Sequence, residues 1–440
     1  MKKIIQITIY AACTLMVLGG IGCKKNYSNP NAATATQVLG SSKGLMGTAI
    51  GIQRTYSLNV SPGVSDANGL VTGETFLLNN GNTSELQLVT GANAVDGTNA
   101  LLGNIWVTAN KCIYDANNVI NGAAQLGDKG YASGLIGYAT IIKALSIGSL
   151  SMLWEKVPDT TGTPATVFID RVQGFNKAIA AIDRALAAIG ANAISTGFLT
   201  DLPPGILSST PATGNDIVNT LNALKARYSL FAGNYTAALA AANSVDLTKK
   251  STFNFEAATP NPVYNSATST NNLYQPVDST LGLPVSIAPD LADKRIPFYT
   301  TINATINPRY RLNGFWNAAA TAIPIYFPGE ITLIKAEAYA RQATPDLVNA
   351  VIELNKVVTK KAAADPLGIG ADLPAVAPAT QADVLTQIYR NRCIELFLSG
   401  LKLEDMRRFG RPNTERKRNL MPYPFREKDS NSNTPTDPAF

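Results

Sequence analysis

Apolar residues at helical spacing run through much of this chain and predict a mainly α-helical fold. In residues 102–120 they recur at intervals of three and four, which is the stripe of an amphipathic helix. The following segment, YASGLIGYATIIKALSIGSLSMLWEKVP, repeats that spacing and ends at Pro158. Because only a short LGDKG turn separates the two, we expect an antiparallel hairpin. A third helix is predicted for residues 168–189, starting near Asp170.

Two later segments share a plan of helix, turn and helix with many small residues. The first is LNALKARYSLFAGNYTAALAAAN, with a turn at Gly233, and the second is ITLIKAEAYARQATPDLVNAVIELNKV, with a break at Thr344 and Pro345. Small residues let helices approach closely, as in stacked tetratricopeptide-like hairpins. Any alanine-rich helix pair shows part of this pattern. The joint recurrence of turn and small residues favours repeat-like hairpins.

Residues 251–324 lose the helical period and are rich in Pro, Asn, Thr and Ser. We expect irregular structure there, with short strands at most. A second such region is GETFLLNNGNTSELQLVTG, residues 73–91. Long loops in a compact domain are uncommon unless they are functional, so both regions are candidates for ligand binding.

The chain contains no histidine, and this limits its chemistry. Ser-His-Asp and Cys-His catalytic groups and histidine-ligated zinc sites are excluded, which leaves mainly carboxylate chemistry to an enzyme. Cys112 and Cys393 are too far apart in sequence for a metal-binding motif. They could form a disulfide or remain two buried free thiols. We expect no cofactor and no metal.

The N-terminal sequence MKKIIQITIYAACTLMVLGGIGC has the features of an export signal: a positive start, an apolar run and small residues before a cysteine. Residues 1–22 are predicted to be a lipoprotein signal peptide, with Cys23 as the lipid attachment site. The alternative is that Cys23 simply follows an ordinary cleavage site. Removal of the signal lowers the net charge from +6 to about +4. An exported, mildly basic protein is not expected to meet nucleic acid.

The segment RNRCIELFLSGLKLEDMRRF mixes apolar and charged residues around Gly400. Gly400 is predicted to end or bend a helix. Charged residues three or four apart can pair across one helical turn. The predicted pairs are Arg392 with Glu395, Lys402 with Asp405, and Glu404 with Arg408. Nearby cations oppose the protonated carboxyl that a glycosidase needs, so a structural corner is favoured over a catalytic cluster.

This segment resembles the C-terminal signature of the SusD/RagB family of outer-membrane nutrient-binding lipoproteins, R-x-E-L-x-x-E-G-x-R-x-x-D-L-x-R. The matching residues are Arg392, Glu395, Leu396, Gly400, Asp405 and Arg408. Met406 replaces the leucine, while Ser399 and Lys402 replace the usual acid and arginine. The segments YSNPNAATATQV, LKARYSLFAGNYTAALAAA and LMPYPFREKD resemble further family landmarks in the family's order; the last carries Pro422, Pro424 and Glu427.

The resemblance implies a SusD-like fold in which tetratricopeptide-like hairpins carry long ligand-binding loops. It implies one domain over residues 23–440, with a helical scaffold at about residues 35–250 and 325–410 and a loop-rich insertion at about 251–324. Such proteins bind oligosaccharides or peptides for a SusC-like TonB-dependent transporter, are lipid-anchored at the outer-membrane surface and are not enzymes. The alternative is a surface-anchored, carboxylate-dependent glycoside hydrolase on a helical scaffold.

Ligand contact is predicted in the loop segments, because sugar rings stack on exposed aromatic planes. Trp316 is the first candidate. Those behind it are Tyr274, Tyr264, Tyr310 and Phe76. The alternative for Trp316 is that it packs the loop onto the helices. Trp106 and Trp154 lie on helical stripes and are predicted to be core residues.

Overall fold

The described part of the chain is mainly helical, as the apolar spacing predicts. The structure is a computed structural model that describes residues 34–163, 165–202, 216–269 and 273–440. These ranges contain the helices α1 (Ala35–Leu39), α2 (Ser42–Thr55), α3 (Ser61–Thr72), α4 (Thr83–Thr90), α5 (Ala100–Ala124), α6 (Lys129–Leu153), α7 (Arg171–Ala191), α8 (Thr196–Asp201), α9 (Ile217–Phe231), α10 (Tyr235–Asn243), α11 (Arg295–Tyr299), α12 (Pro328–Arg341), α13 (Leu347–Val358), α14 (Gln381–Glu395), α15 (Lys402–Arg408) and α16 (Phe425–Ser430). The described residues from Leu39 to Phe440 form one compact unit. The predicted signal peptide and Cys23 lie outside the described residues.

Helices α5 and α6 form the predicted long hairpin. Each starts at a polar N-cap, since Asn99 accepts the N–H of Leu102 at 3.0 Å and Asp128 accepts that of Tyr131 at 2.9 Å. Helix α6 is long and apolar enough to cross a membrane, but 89% of its most apolar stretch is buried inside the protein. It is therefore the central core helix.

Helix α7 starts at Arg171, next to the start predicted near Asp170. Residues Phe168–Asp170 are a β-strand that pairs with Lys156–Pro158. Asp170 caps the helix, and the side chain of Gln173 accepts the backbone N–H of Asp170 at 3.3 Å. The short strand therefore leads directly into the helix.

The two alanine-rich segments are helical hairpins, as predicted. In the first, α9 and α10 are joined by a turn in which Gly233 has a φ of 76° and Asn234 caps α10. In the second, Asp346 caps α13 after the break at Thr344 and Pro345. Helix α10 packs against α12, so the hairpins are neighbours. The alanines that face these contacts are buried, among them Ala223, Ala226, Ala238, Ala336, Ala340 and Ala350.

The strands in the described residues are short and occur in antiparallel pairs, as predicted for the loop regions. The pairs are β1 (Phe76–Leu77) with β5 (Tyr274–Gln275), β2 (Lys156–Pro158) with β3 (Phe168–Asp170), β4 (Thr252–Phe253) with β8 (Ile323–Pro324), and β6 (Thr300–Ile302) with β7 (Tyr310–Leu312). Three of these pairs involve residues 251–324. The insertion is thus built from two-stranded ribbons laid over the helices.

Trp106 and Trp154 are core residues, as predicted, and they fasten the C-terminal segment to the long hairpin. Their rings meet edge to face with centroids 4.9 Å apart. The indole N–H of Trp154 donates to the carbonyl oxygen of Pro422 at 2.9 Å, and that of Trp106 donates to Glu427 Oε2 at 3.0 Å. Both indole N–H groups thus find their acceptors in the one C-terminal segment.

Arg392 and Asp405 join the two helices on either side of the bend at Gly400, whose φ is 81°. Arg392 Nε donates to Asp405 Oδ2 at 2.9 Å and Nη2 donates to Oδ1 at 3.0 Å. Arg408 Nη2 donates to the same carboxylate at 2.8 Å. These charges are almost wholly buried, so the segment is a structural corner held by paired charges.

The three local ion pairs predicted for this corner are wrong. Arg392 pairs with Asp405, and Glu395 pairs with Arg295 and Lys360. Lys402 donates to the carbonyl oxygens of Leu281 and Gly282. Glu404 pairs with Arg171 and Arg407, and Arg408 pairs with Glu337 and Asp405. Glu404 with Arg407 and Asp405 with Arg408 are still pairs three residues apart on α15, whereas the other partners come from distant elements. Spacing along the helix therefore predicts that such pairs form, but not which residues form them.

Cys112 and Cys393 are both buried and free. Of the two alternatives, the structure selects separate thiols. Burial raises the pKa of each thiol to about 12, so both are protonated and unreactive at neutral pH.

Candidate ligand-binding surface

Two strand ribbons carry most of the predicted ligand residues. We define the loop surface as the ribbons β1–β5 and β6–β7 together with the helical turn Tyr264–Ser269. In the first ribbon Phe76 lies opposite Gln275, and in the second Ile302 lies opposite Tyr310. The side chain of Gln275 accepts the N–H of Leu312 at 2.8 Å and so joins the two ribbons. Residues from both predicted loop regions therefore form one surface.

Asn261 organises the chain around this surface. Its Nδ2 donates to the carbonyl oxygens of Phe315 and Thr321, both at 2.8 Å. Its Oδ1 accepts the N–H groups of Val263 and Tyr264 at 3.0 and 3.1 Å. One fully buried amide thus satisfies four backbone groups from two distant stretches of loop. This gives an irregular segment a fixed shape without regular secondary structure.

Phe76 presents the most open aromatic ring among the predicted ligand residues. Its side chain is 50% exposed, whereas its neighbour Leu77 is buried, as strand alternation requires. Tyr264 and Tyr310 are half-buried. Ile302, across from Tyr310, is 56% exposed. The loop surface therefore offers one open ring, two partly open tyrosines and an apolar edge.

Trp316 and Tyr274 do not present a ring to solvent. Trp316 is only 3% exposed, and its indole is covered by Tyr299, Phe315 and Phe397, with ring centroids 5.8 to 6.0 Å away. Tyr274 is fully buried. As the side chains are placed, a saccharide can stack on neither ring. The packing alternative is the one that the geometry of Trp316 supports.

The cavity beside Trp316 is too small for a sugar. It is lined by Phe253, Phe315 and Ser399 among others, and the space open to the centre of a water molecule is about 60 Å³. Ligand sites of small-molecule size occupy roughly 300 to 1,000 Å³. This cavity can hold a few waters in the core, so it gives Trp316 no ligand.

Asp66, a buried acid next to the loop surface, has a raised pKa. Burial raises the pKa of Asp66 to about 8, against an opposing effect of the Tyr274 hydroxyl and with a small contribution from Glu85. Asp66 lies on α3, beneath the ribbon that carries Tyr274. Among the described residues, no three acid or thiol side chains converge so as to hold a metal ion.

Several residues that shape the site gave no readable signal in the sequence. Gln275 and Asn261 were two polar residues among many in a polar loop. Ile302 was an isolated apolar residue. The signal that existed was the density of aromatics in residues 251–324, which located the surface but did not tell exposed rings from buried ones.

The whole fold is similar to that of solved SusD proteins. A SusD homolog from Bacteroides thetaiotaomicron has a TM-score of 0.71 at 14% identity, covering 93% of this chain and 99% of that one. A SusD superfamily protein from the same organism has a TM-score of 0.68 at 17% identity, covering 90% and 100%. A SusD-like carbohydrate-binding protein from Bacteroides fragilis has a TM-score of 0.64 at 14% identity, covering 85% and 87%.

No family model matches the chain, and no curated protein matches its sequence. At these low identities the structural likeness speaks for the fold. The chain has the SusD-like fold, mainly helical with few short strands, and the fold expected from the signature is confirmed.

Proposed function

We propose that this chain is a lipid-anchored binding protein of the cell surface that captures oligosaccharides and delivers them to a TonB-dependent transporter. The single observation that carries the proposal is the SusD-like fold over nearly the whole chain, which is shared with a protein described as SusD-like and carbohydrate-binding. The open loop surface is consistent with it, because it joins exposed aromatic and apolar side chains to polar loops. Peptides are the second ligand class that the signature implies.

Within this proposal, Phe76 is the main stacking residue and Tyr310 and Tyr264 support it. Sugar rings have apolar C–H faces that lie against aromatic planes, and their hydroxyls bind amide and guanidinium groups. Arg309 lies over the ring of Tyr310, with its guanidinium carbon 6.0 Å from the ring centroid. That arrangement places hydrogen-bond donors next to a partly open ring.

The surface-anchored hydrolase is the alternative function, and the paired acids argue against it. A glycosidase needs two carboxyl groups facing one cleft, one of them held protonated. At the corner around Gly400, Glu395 and Asp405 each bind two cations and are buried, so neither carboxyl group faces an open cleft. Asp66 has a raised pKa but is buried away from open solvent.

The test is a glycan and peptide binding screen of the chain lacking residues 1–23. Retention of an oligosaccharide on an affinity gel, with its length unchanged after recovery, supports a binding protein. Shortened products indicate the hydrolase. Binding of peptides alone overturns the oligosaccharide assignment.

Anchoring and partner are tested in the full chain. Metabolic labelling with radioactive palmitate should mark the wild type and not Cys23→Ala, and equal labelling removes the lipid anchor from the proposal. A transporter barrel that copurifies with the tagged chain from detergent-solubilised outer membranes supports delivery. Its absence under gentle detergent conditions argues against a stable transporter complex.

A further inference from the structure

We propose a second saccharide-binding site on the helical scaffold, in a groove between α5 and the loop that joins β2 to β3. We call it the threonine groove. Its lining includes Val107, Asn110, Lys111 and Tyr114 of α5, Pro158 and residues 160–163 of the loop, and Glu427 of α16. The proposal rests on the proposed function for its ligand class. Its residues are separate from those of the loop surface.

The groove has an open aromatic wall. Tyr114 is 46% exposed, and Val107, two helical turns earlier, is more exposed still. Gly162 packs directly against the tyrosine ring: a Cβ at this position would lie 2.5 Å from two ring carbons. Gly162 also has a φ of 80°, which a glycine adopts without strain. The loop is thereby held against the edge of a ring that remains half open.

Polar groups in the groove lack partners. Asn110 Oδ1 and Thr161 Oγ1 are both inaccessible to solvent, and neither atom forms a hydrogen bond. The other amide atom of Asn110, Nδ2, donates to the carbonyl oxygen of Trp106 at 3.0 Å. A buried polar atom without a partner costs free energy, so rotation of these two side chains toward a ligand hydroxyl, which can both donate and accept, is favourable. A polyhydroxylated ligand is therefore suited to this groove.

The threonine loop is fixed in place by its own hydroxyls and by the C-terminal segment. The hydroxyl oxygens of Thr160, Thr163 and Thr166 lie 2.9 to 3.2 Å from one another. Asn431 Nδ2 donates to the carbonyl oxygen of Thr166 at 3.0 Å, and Asn433 Nδ2 donates to that of Ala165 at 2.7 Å. The loop side of the groove thus has its shape fixed before a ligand binds, which lowers the ordering cost of binding.

The charged side chains that line the groove already bind partners within the protein, and this favours a neutral ligand. Lys111 pairs with Asp115 at 2.5 Å. Glu427 accepts the indole N–H of Trp106 at 3.0 Å and the amide N–H of Asn431 at 3.1 Å. One cation and one anion with fixed partners give an ionised ligand little to bind. The space open to the centre of a water molecule is about 400 Å³, within the range of small-ligand sites.

The experiment uses ¹⁹F NMR of the soluble chain lacking residues 1–23, labelled with 5-fluorotryptophan. The chain has three tryptophans, each assignable from its Trp→Phe variant. Trp106 lines the threonine groove, whereas Trp316 lies in the core beneath the loops. Maltose, cellobiose and N,N′-diacetylchitobiose are titrated to about 10 mM, which detects millimolar dissociation constants.

We expect at least one disaccharide to shift the Trp106 resonance in a saturable way. The shift should be lost or weakened at least tenfold in Tyr114→Ala and retained in Phe76→Ala and in the exposed control Val348→Ala. Thermal melts of Tyr114→Ala verify that it folds, and Asn110→Leu gives a second groove variant. No Trp106 shift with any of the three sugars, or a shift that survives both groove variants, overturns the groove site. Failure of the loop-surface proposal is a separate outcome, because it shows as unchanged screen binding in Phe76→Ala.

Discussion

Gly329 lies against the carboxylate of Glu395, so closely that a Cβ on Gly329 would sit 1.9 Å from Oε1. Glu395 Oε2 accepts from Arg295 Nη1 at 3.1 Å, and Oε1 accepts from Lys360 Nζ at 2.6 Å. Gly329 belongs to the first turn of α12, whose N-terminus favours a nearby negative charge. A glycine at this position lets the helix start within reach of a fully buried acid.

Gly329→Ala should destabilise the fold strongly. The new methyl group displaces the carboxylate from Arg295 and Lys360, and breaking a buried ion pair costs about 3 to 5 kcal/mol. Urea unfolding of the soluble chain measures the loss. Gly47→Ala is the matched control, because Gly47 is an exposed helical glycine with open space around its Cα, and there alanine should stabilise slightly. Equal stability of the two variants would contradict the steric argument.

Glu395→Ala should lower the melting temperature, because it leaves Arg295 buried with one anion fewer and Lys360 with Asp365 alone. We expect a loss of about 3 to 5 kcal/mol in the free energy of unfolding. Glu353→Ala, which removes a partly exposed pair with Lys356, should cost less than about 1 kcal/mol. Retained stability of Glu395→Ala together with lost ligand binding would instead place Glu395 in the functional site.

Asp66 should make the protein less stable as pH rises. Its pKa is about 8 in the folded chain and 3.8 by its ordinary value, so between these pH values the folded state binds one more proton than the unfolded state. Stability from this group is present below pH 4 and is lost progressively up to pH 8, at about 1.4 kcal/mol per pH unit. Urea unfolding at pH 5 and 7.5 should show a smaller decrease for Asp66→Asn than for the wild type. Parallel decreases would show that Asp66 does not titrate in this window.

The scaffold could be predicted from the sequence because its signals are local. The stripes of α5 and α6 and the bend at Gly400 both depend on residues within a few positions. Asn68 shows the opposite case. Its Nδ2 donates to the carbonyl oxygen of Gly400 at 2.9 Å and its Oδ1 accepts the N–H of Leu403 at 3.0 Å, although more than 300 residues separate them. No local pattern predicts such a contact.

The candidate site stays a prediction, and the exposure of its rings could not be predicted, for the same reason. Aromatic density pointed to the loop segments, yet whether a ring is open depends on distant partners. Trp316 is covered by Phe397, which belongs to the structural corner around Gly400. Phe76 remains open because its strand places Leu77, and not Phe76, toward the core. Burial of single side chains is a property of the packed whole.

Phe76→Ala and Trp316→Ala should therefore have opposite effects. Phe76 is half exposed, so its removal should leave the melting temperature nearly unchanged and weaken binding of the oligosaccharide found in the screen at least tenfold, about 1.4 kcal/mol. Trp316 is packed among three aromatic rings, so its truncation should cost about 3 to 5 kcal/mol of stability through the cavity it leaves.

Calorimetric titration of both variants measures ligand binding, and thermal melts measure stability. Val285→Ala, which removes a highly exposed apolar side chain from the same insertion, controls for general loss of surface. If Trp316→Ala folds normally and loses the ligand while Phe76→Ala binds it fully, the stacking role belongs to Trp316, and the insertion must open in solution to expose that ring.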